Sequence, residues 1–333
     1  MTAAATRVIA AEAGAAAEAA ACLAAGGLVA FPTETVYGLG ADATNATAVA
    51  RLYAAKGRPS FNPLIAHVAD LPAARRLAVF DAAAERLAAK FWPGPLTLVL
   101  KRSATCPVAE LATAGLDSIA VRVPNHDLAR DIIRKLGHPV VAPSANQSGR
   151  VSPTTAQHVV DDLGGRVDLI LDGGPASVGV ESTIVALLER PLLLRPGGLP
   201  RDDLLQVLGR NLGRDMEDVP VSGIDPEALI APGMMASHYA PRTPLRLNAS
   251  SVNAGEAVLA FGPNLPPGSE NAVRVLNLSP SADLVEAAAN LFSDLRTLDA
   301  AKATGIAVMR VPMEGLGEAI NDRLARAAAP RDN

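Results

Sequence analysis

The 333-residue sequence predicts an α/β protein with two unequal domains, and three observations support this prediction. Short apolar runs typical of strands alternate with longer helical patterns along most of the chain. From about Asp202 the chain becomes rich in Gly, Pro and acidic residues, and a new strand–helix alternation begins after Leu245. We therefore predict a first domain at residues 1–201, a linker at 202–244 and a small C-terminal domain at 245–333.

Composition indicates a globular protein. Hydrophobic residues make up 49% and charged residues 19%, which supplies a sizeable core and excludes a disordered chain. The net charge of -4 argues against a protein that coats nucleic acid. Residues 1–201 hold 19 Lys and Arg against 17 Asp and Glu, whereas the remainder holds 11 against 17. The first domain is therefore the better suited of the two to an anionic ligand.

Cysteine usage and the absence of apolar spans predict a cytoplasmic protein. Cys22 and Cys106 lie far apart and match no metal-ligand spacing, so we expect reduced thiols. The alanine-rich N-terminus is interrupted by Glu12 and Glu18 and resembles neither a secretory signal nor a transit peptide. No uncharged apolar run reaches the roughly 18 residues that a membrane span needs. We expect no membrane association.

The elements of the first domain follow from local patterns. Residues 10–25 predict an alanine-rich helix that a glycine pair ends, and residues 28–31 predict a buried strand. The Gly-Leu-Gly sequence at 38–40 predicts a turn, and residues 47–56 predict a helix. The other predicted elements are a helical region at 71–89, a helix at 127–136, and strands at 96–100, 118–123, 140–142, 168–171, 180–185 and 192–194.

The C-terminal domain shows a regular alternation. Its predicted strands lie at 257–261, 273–276 and 306–311, and its predicted helices at 282–298 and 319–329. This order predicts a small parallel, Rossmann-like sheet without a recognisable catalytic constellation.

Polar and cationic residues follow the ends of several predicted elements, where an open α/β sheet builds its ligand crevice. Thr35 follows the first strand, and Lys56 and Arg58 end the helix at 47–56. Arg122 lies in a short apolar strand, which indicates either a sheet edge or an anionic partner. An anion is the simplest occupant of such a site.

A loop of small polar residues at 143–149 follows the next strand. Its amides and hydroxyls can cradle phosphate, although an ordinary surface turn fits the pattern equally well and no P-loop sequence exists. Ser152 and its two successors are predicted to begin a helix, whose free amides favour an anion. His67 follows an apolar run and, on local pattern alone, is a core histidine.

Several motifs recur in a fixed order along the chain: PTETVYGLG, KGRPSFNPLIAHV, SIAVRVPNH, APSANQSGRVSPT, VESTIV, LLRPG and SHYAPRTP. Together they closely resemble the YrdC-like family, whose longer members are L-threonylcarbamoyladenylate synthases. The resemblance implies a twisted, mixed, open sheet with flanking helices in the first domain. It also implies the reaction of L-threonine, bicarbonate and ATP to L-threonylcarbamoyladenylate and pyrophosphate.

The resemblance implies a role for individual residues. The implied threonine-binding residues are Thr35, His67, Arg122, Ala142 and Ser182. The implied ATP-binding residues are Lys56, Arg58, Asn62, Ser118, Ser144, Ser152, Arg195 and Tyr239. Lys56 and Arg58 are expected to stabilise charge on the transferring phosphate, with Mg2+ accompanying ATP and no metal ligand identified among the protein side chains.

The resemblance also implies partners and a lid. The product is expected to supply N6-threonylcarbamoyladenosine in tRNA through a separate transferase, with direct tRNA contact left open. We expect the linker, with Tyr239, to fold over the site and protect the labile product from water. Two alternatives are a module that binds double-stranded RNA or tRNA, and a related carbamoyl-transfer enzyme that uses another amino acid.

Overall fold

The computed structural model describes residues 5–209, 212–214 and 239–330. Their helices are α1 (Ala15–Ala24), α2 (Ala46–Lys56), α3 (Leu71–Leu77), α4 (Ala82–Phe91), α5 (Asp127–Leu136), α6 (Ala156–Leu163), α7 (Arg201–Leu208), α8 (Leu284–Asp299) and α9 (Gly317–Ala328). The strands of the first domain are β1 (Arg7–Ala10), β2 (Val29–Phe31), β3 (Gly38–Asp42), β4 (Ile65–His67), β5 (Leu96–Lys101), β6 (Ser118–Arg122), β7 (Val140–Val141), β8 (Leu169–Asp172), β9 (Thr183–Leu187), β10 (Pro191–Arg195) and β11 (Gly213–Arg214). Those of the second are β12 (Leu245–Arg246), β13 (Glu256–Ala260), β14 (Val275–Asn277) and β15 (Gly305–Val308).

The first domain is a mixed open sheet, as the sequence predicts. Within the described residues its strand order is β1-β8-β2-β3-β7-β4-β6-β5-β9-β10-β11, with parallel and antiparallel neighbours. Parallel pairing of β4 with β6 sets His67 directly beside Arg122, and antiparallel β7 runs along the other side of β4. The predicted strand ends therefore meet at one place in the sheet.

Helix α2 shows how local chemistry positions the cations. The Asn45 side chain caps its first turn by accepting hydrogen bonds from two backbone amides. Gly57 ends the helix in the left-handed conformation with φ 59°. Lys56 therefore sits in the last turn, and Arg58 follows the reversal directly.

The predicted Gly-Leu-Gly turn is wrong, because residues 38–40 form the first part of β3. A Cβ atom at Gly40 would lie 2.6 Å from Phe31 Cε1 on the neighbouring strand β2. The glycine thus allows close packing within the sheet and does not reverse the chain.

Two other local predictions need correction. The single helical region at 71–89 is two helices, because Ala78 is extended and bridges to Arg102. Asp70 and Asp81 each cap one of them. The predicted helix at 10–25 begins only at Ala15, and the residues before it form the short strand β1, which the sequence analysis missed.

The first folded unit continues past residue 201. Leu204 and Leu208 of α7 pack into the first domain's core, and β11 pairs with β10. Most of the predicted linker, residues 215–238, lies outside the described residues, and the domain boundaries stay a prediction.

The second domain has a four-stranded, all-parallel sheet in the order β12-β15-β13-β14, which confirms the predicted architecture. It packs closely on the first. A Cβ atom at Gly179 would lie 2.3 Å from the Ala288 carbonyl oxygen of α8. Within the described part of the chain, the ion pairs that join the domains are Arg201–Glu318, Arg296–Asp162 and Arg323–Glu181. None of the helices in the described ranges is long and apolar enough to cross a membrane.

Candidate active site

A small cavity of about 50 Å³ lies at the junction of β4, β6, β7 and the second domain. Nine of the predicted site residues line it: Thr35, Arg58, His67, Arg122, Ala142, Ser144, Ser182, Arg195 and Tyr239. The other four, Lys56, Asn62, Ser118 and Ser152, are buried but lie outside its wall. The cavity thus brings together cations from three separate segments of the chain.

Arg122 presents a guanidinium that is only partly satisfied. Its Nη1 donates to Thr35 Oγ1 at 2.9 Å, and its Nε donates to the Gly94 carbonyl at 3.3 Å. Its Nη2 lies 2.8 Å from Glu34 Oε1, but among the described residues neither the nitrogen nor the carboxylate has an aligned hydrogen-bond partner. The contact is an ion pair without an aligned hydrogen bond, so Nη2 keeps donor capacity for a ligand carboxylate.

His67 is a neutral acceptor. Burial, together with the neighbouring Arg122 charge, lowers its pKa from 6.5 to about 3. Its Nδ1 lies 3.2 Å from the Ile65 carbonyl oxygen, and because a carbonyl can only accept, Nδ1 carries the proton. The lone pair is then on Nε2, which can accept a hydrogen bond from an amine or hydroxyl of a ligand.

The lowered pKa of His67 predicts a pH dependence of stability. The unfolded chain binds a proton near pH 6.5 that folded His67 takes up only near 3, so the free energy of unfolding must rise with pH between these values. From pH 5 to 6.5 this contribution is about 2 kcal/mol. We expect urea unfolding to show this slope in the native protein and to lose it in His67→Gln. Equal slopes in both proteins would contradict a neutral His67.

Arg58 is held by its own loop while facing the cavity. Its Nη2 donates to Asn62 Oδ1 at 2.5 Å and to the Pro63 carbonyl at 3.0 Å. Burial lowers its pKa to about 10, which still leaves it charged at neutral pH. Asn62 therefore acts in this structure by orienting Arg58.

Lys56 is buried behind the polar loop. Its Nζ donates to the carbonyl oxygens of Ser144 and Asn146. Burial, followed by the nearby Arg58 charge, lowers the pKa of this amine well below its usual range. Lys56 thus fixes the backbone of the loop at 143–149, and Ser144 is the residue of that loop that reaches the cavity.

Arg195 and Ser182 form the wall opposite Arg122. Arg195 Nη2 donates to the Ser182 carbonyl at 2.8 Å and to its Oγ at 3.2 Å. Thr97 Oγ1 lies 2.8 Å from the same hydroxyl and fixes it from the neighbouring strand β5. Ser118 begins β6, four residues before Arg122 and by strand alternation on the same sheet face.

Ser152 is not at a helix start, which corrects that prediction. Helix α6 begins at Ala156 with Thr155 as its cap, and Ser152 Oγ instead donates to Glu181 Oε1. Glu181 lines the cavity, and its Oε2 accepts from Arg323 of the second domain at 2.8 Å. The sequence analysis did not single out Glu34, Glu181 or Arg323.

Tyr239 joins the cavity to the second domain. Its ring stacks on Phe292 with centroids 5.6 Å apart, and the Arg323 guanidinium lies 5.0 Å from its centroid. The residue is buried and has φ 61°. It belongs to the predicted lid, and it closes one side of the cavity.

The donor set does not form a protein metal site. Across residues 5–209, 212–214 and 239–330, no group of three His, Cys, Asp or Glu side chains lies close enough together to hold a metal ion. The carboxylates beside the cavity, Glu34 and Glu181, are each paired with arginine. A cation in this cavity would have to be held mainly by ligand oxygens and water.

These features define a two-domain YrdC-like protein with a cation-lined cavity between its domains. Two family models match consecutive parts of the chain. The model described as telomere recombination, for Sua5, YciO and YrdC, matches residues 21–197, and that of the threonylcarbamoyl-AMP synthase C-terminal domain matches residues 200–329. The chain belongs to the two-domain threonylcarbamoyl-AMP synthase (Sua5) family, which confirms the resemblance.

Full-length relatives agree with this assignment. The threonylcarbamoyl-AMP synthase of Bacillus subtilis (strain 168) is 42% identical over 331 residues, which cover 95% of this chain and 93% of that protein. The enzyme of the same name from Pyrococcus abyssi is 42% identical, with 92% of both chains covered. That from Schizosaccharomyces pombe is 37% identical and covers 90% of this chain and 85% of its own.

Solved structures share the whole fold. The P. abyssi Sua5 structure complexed with L-threonine has a TM-score of 0.87 and 38% identity, covering 97% of this chain and 98% of that one. A doubly substituted variant of P. abyssi Sua5 has a TM-score of 0.83 and 38% identity, with coverages of 97% and 96%. Escherichia coli YciO, at 22% identity and a TM-score of 0.52, shares the fold over 58% of this chain.

Proposed function

We propose that this protein is an L-threonylcarbamoyladenylate synthase that converts L-threonine, bicarbonate and ATP into L-threonylcarbamoyladenylate and pyrophosphate. The observation that carries the proposal is the convergence of Arg58, Arg122 and Arg195 on one cavity beside a neutral histidine. Synthases that match nearly the full chain, and a relative with L-threonine bound, support it.

The threonine half of the site follows from the contacts. Arg122 Nη2 supplies donor capacity for the substrate carboxylate, and Thr35 Oγ1, oriented by Arg122, supplies a small polar partner. His67 Nε2 can accept from the amine or hydroxyl of threonine. A ring that stays neutral across the physiological range does not repel a substrate ammonium.

The nucleotide half is proposed at the opposite wall. Arg58, Arg195 and the hydroxyls of Ser144 and Ser182 face the cavity and suit a polyanion. Lys56 supports them by fixing the 143–149 loop, and an anionic triphosphate would counter the burial that lowers its pKa. Asn62, Ser118, Ser152 and Tyr239 remain proposed nucleotide contacts or supports.

The proposed chemistry needs no protein nucleophile. The threonine amine adds to bicarbonate with loss of water and a proton, which gives a carbamate. A carbamate oxygen then bonds to the α-phosphorus as the bond from that phosphorus to the bridging oxygen breaks and pyrophosphate leaves. Arg58 and Arg195 stabilise the charge that develops on the phosphates, and alignment of the two substrates supplies much of the remaining acceleration.

Mg2+ is proposed as a companion of ATP. Mg2+ retains several waters and commonly binds through substrate phosphates, which fits a site that lacks a cluster of protein ligands within the described ranges. It would neutralise phosphate charge when bound.

Closure of the site is also part of the proposal. A cavity of about 50 Å³ has less free space than two waters take up in the liquid, about 30 Å³ each, so ATP cannot enter this closed arrangement. Tyr239 and the second domain must move outward to admit it. The same closure would later protect the carbamoyl adenylate from water.

Partners and location complete the proposal. We expect a separate transferase to pass the threonylcarbamoyl group to tRNA. The first domain has an almost balanced charge, so any direct tRNA contact should be weak and salt-sensitive. The two free thiols, Cys22 and Cys106, and the use of ATP favour the cytoplasm.

The deciding experiment measures pyrophosphate release from ATP while threonine and bicarbonate are omitted in turn. We expect release to require both. Release without threonine, or none with the full set, would contradict the proposed function. Salt-sensitive RNA binding without turnover would favour the RNA-binding alternative.

The choice of amino acid separates the synthase from a related carbamoyl-transfer enzyme. We expect valine, which lacks the hydroxyl, to be rejected by a factor of about 10⁴ if the site hydrogen-bonds that group, and by far less otherwise. Serine should be used more slowly than threonine. A preference for another amino acid would identify the alternative enzyme.

A further inference from the structure

Glu181 presents an electrostatic problem that lies in the cavity wall. It is a buried carboxylate in a cavity that, on the proposed function, must hold a triphosphate. Among the described residues it is the one carboxylate that lines this cavity. An uncompensated negative charge there would oppose nucleotide binding strongly, because a buried charge is poorly screened.

Arg323 compensates that charge from the second domain. The residue is fully buried on α9, and its Nε donates to Glu181 Oε2 at 2.8 Å. Its Nη1 donates to the Pro196 carbonyl at 2.9 Å, directly after Arg195, and its guanidinium lies over the Tyr239 ring. One side chain of the second domain thus touches three parts of the cavity wall.

We infer that Arg323 is a positioning residue through which the second domain makes the cavity competent for ATP. It neutralises Glu181, fixes the carboxylate away from the nucleotide, and supports the ring of Tyr239. This inference rests on the proposed function and gives the second domain a defined electrostatic role. The other two interdomain ion pairs described above, Arg201–Glu318 and Arg296–Asp162, involve no cavity-lining residue.

Charges around Glu181 agree with this role. Burial acts to raise the pKa of Glu181, but the charges of Arg323 and Arg195 and the hydrogen bond from Ser152 hold it below its usual value. The carboxylate therefore stays ionised at neutral pH. Loss of Arg323 would leave a buried anion beside the nucleotide.

The test is a charge rescue in the full-length protein. We expect Arg323→Met to raise the KM for ATP at least tenfold, with a smaller change in the KM for threonine. Adding Glu181→Gln should bring the KM for ATP back to within about threefold of the Glu181→Gln single variant, because the repelling charge is gone. Arg323→Lys, which keeps the charge, should stay close to the native value.

Controls distinguish this role from simple domain docking. Glu318→Ala breaks an interdomain ion pair on the same helix α9 and should leave the KM for ATP unchanged. If Arg323→Met does not fold, the Lys variant and binding of ATP to Glu181→Gln decide the question. A native KM in Arg323→Met, no rescue by Glu181→Gln, or a tenfold loss in Arg323→Lys would overturn the inference. Failure of native protein to release pyrophosphate would instead contradict the proposed function.

Discussion

Replacing Arg122 by alanine is expected to raise the KM for threonine by about 100-fold or more, since a charge-assisted bidentate contact to the substrate carboxylate is lost. A second effect acts in the same direction. Glu34 lies 2.8 Å from the Arg122 guanidinium, and without that cation a buried carboxylate would face the substrate carboxylate. Pyrophosphate release measured against threonine concentration, at saturating ATP, gives this change directly.

The position of Glu34 also permits a sharper design. The double variant Arg122→Ala with Glu34→Gln removes the repulsion and should recover part, but not all, of the threonine affinity. Arg134→Ala serves as the control, because its ion pair with Asp131 is long at 3.8 Å and half exposed. A native KM for threonine in Arg122→Ala would remove the basis for the threonine half of the site.

The parts of the site that the sequence predicts are those whose chemistry is written locally. Arg122 is a charge in an apolar strand, and Thr35 follows a buried strand, so each stands out from its neighbours. The sheet then brings them within 2.9 Å of one another. Their convergence needed only the general rule that ligands bind where strands end.

The missed residues act through partners that are remote in sequence. Glu181 and Arg323 are separated by 142 positions, and nothing near either one marks it as buried or paired. The last helix offers several arginines of similar appearance, of which Arg323 alone is fully buried within the described residues. Only the packing of one domain on the other selects it.

The wrong local predictions have the same origin. A glycine serves a turn and a close strand contact equally well, and the presence of Phe31 opposite Gly40 decides between them only in the folded sheet. The break at 78–81 is different, since two aspartates in capping positions, Asp70 and Asp81, were visible in the sequence. Helical periodicity on both sides concealed them.

Replacement of Arg58 should separate catalysis from stability. We expect Arg58→Ala to lower kcat/KM for ATP by about 10² to 10³, the usual cost of removing a donor aimed at developing charge. Arg58→Lys should recover only part of this loss, because an ammonium cannot reproduce the fork that holds Asn62 Oδ1 and the Pro63 carbonyl. Arg75→Ala, which removes an exposed cation paired with Glu85, controls for net charge.

Lys56 provides the contrasting case. Lys56→Met leaves the buried carbonyl of Asn146 without its amine donor, and the Ser144 carbonyl loses the same partner. We expect a fall of about 1–3 kcal/mol in the free energy of unfolding together with lower activity, whereas Arg58→Lys should change stability by much less. Urea unfolding and pyrophosphate release, measured on the same preparations, test both expectations. If Lys56→Met lost activity at native stability, its ammonium would act on the phosphates directly, and the division of labour between the two cations would have to be reversed.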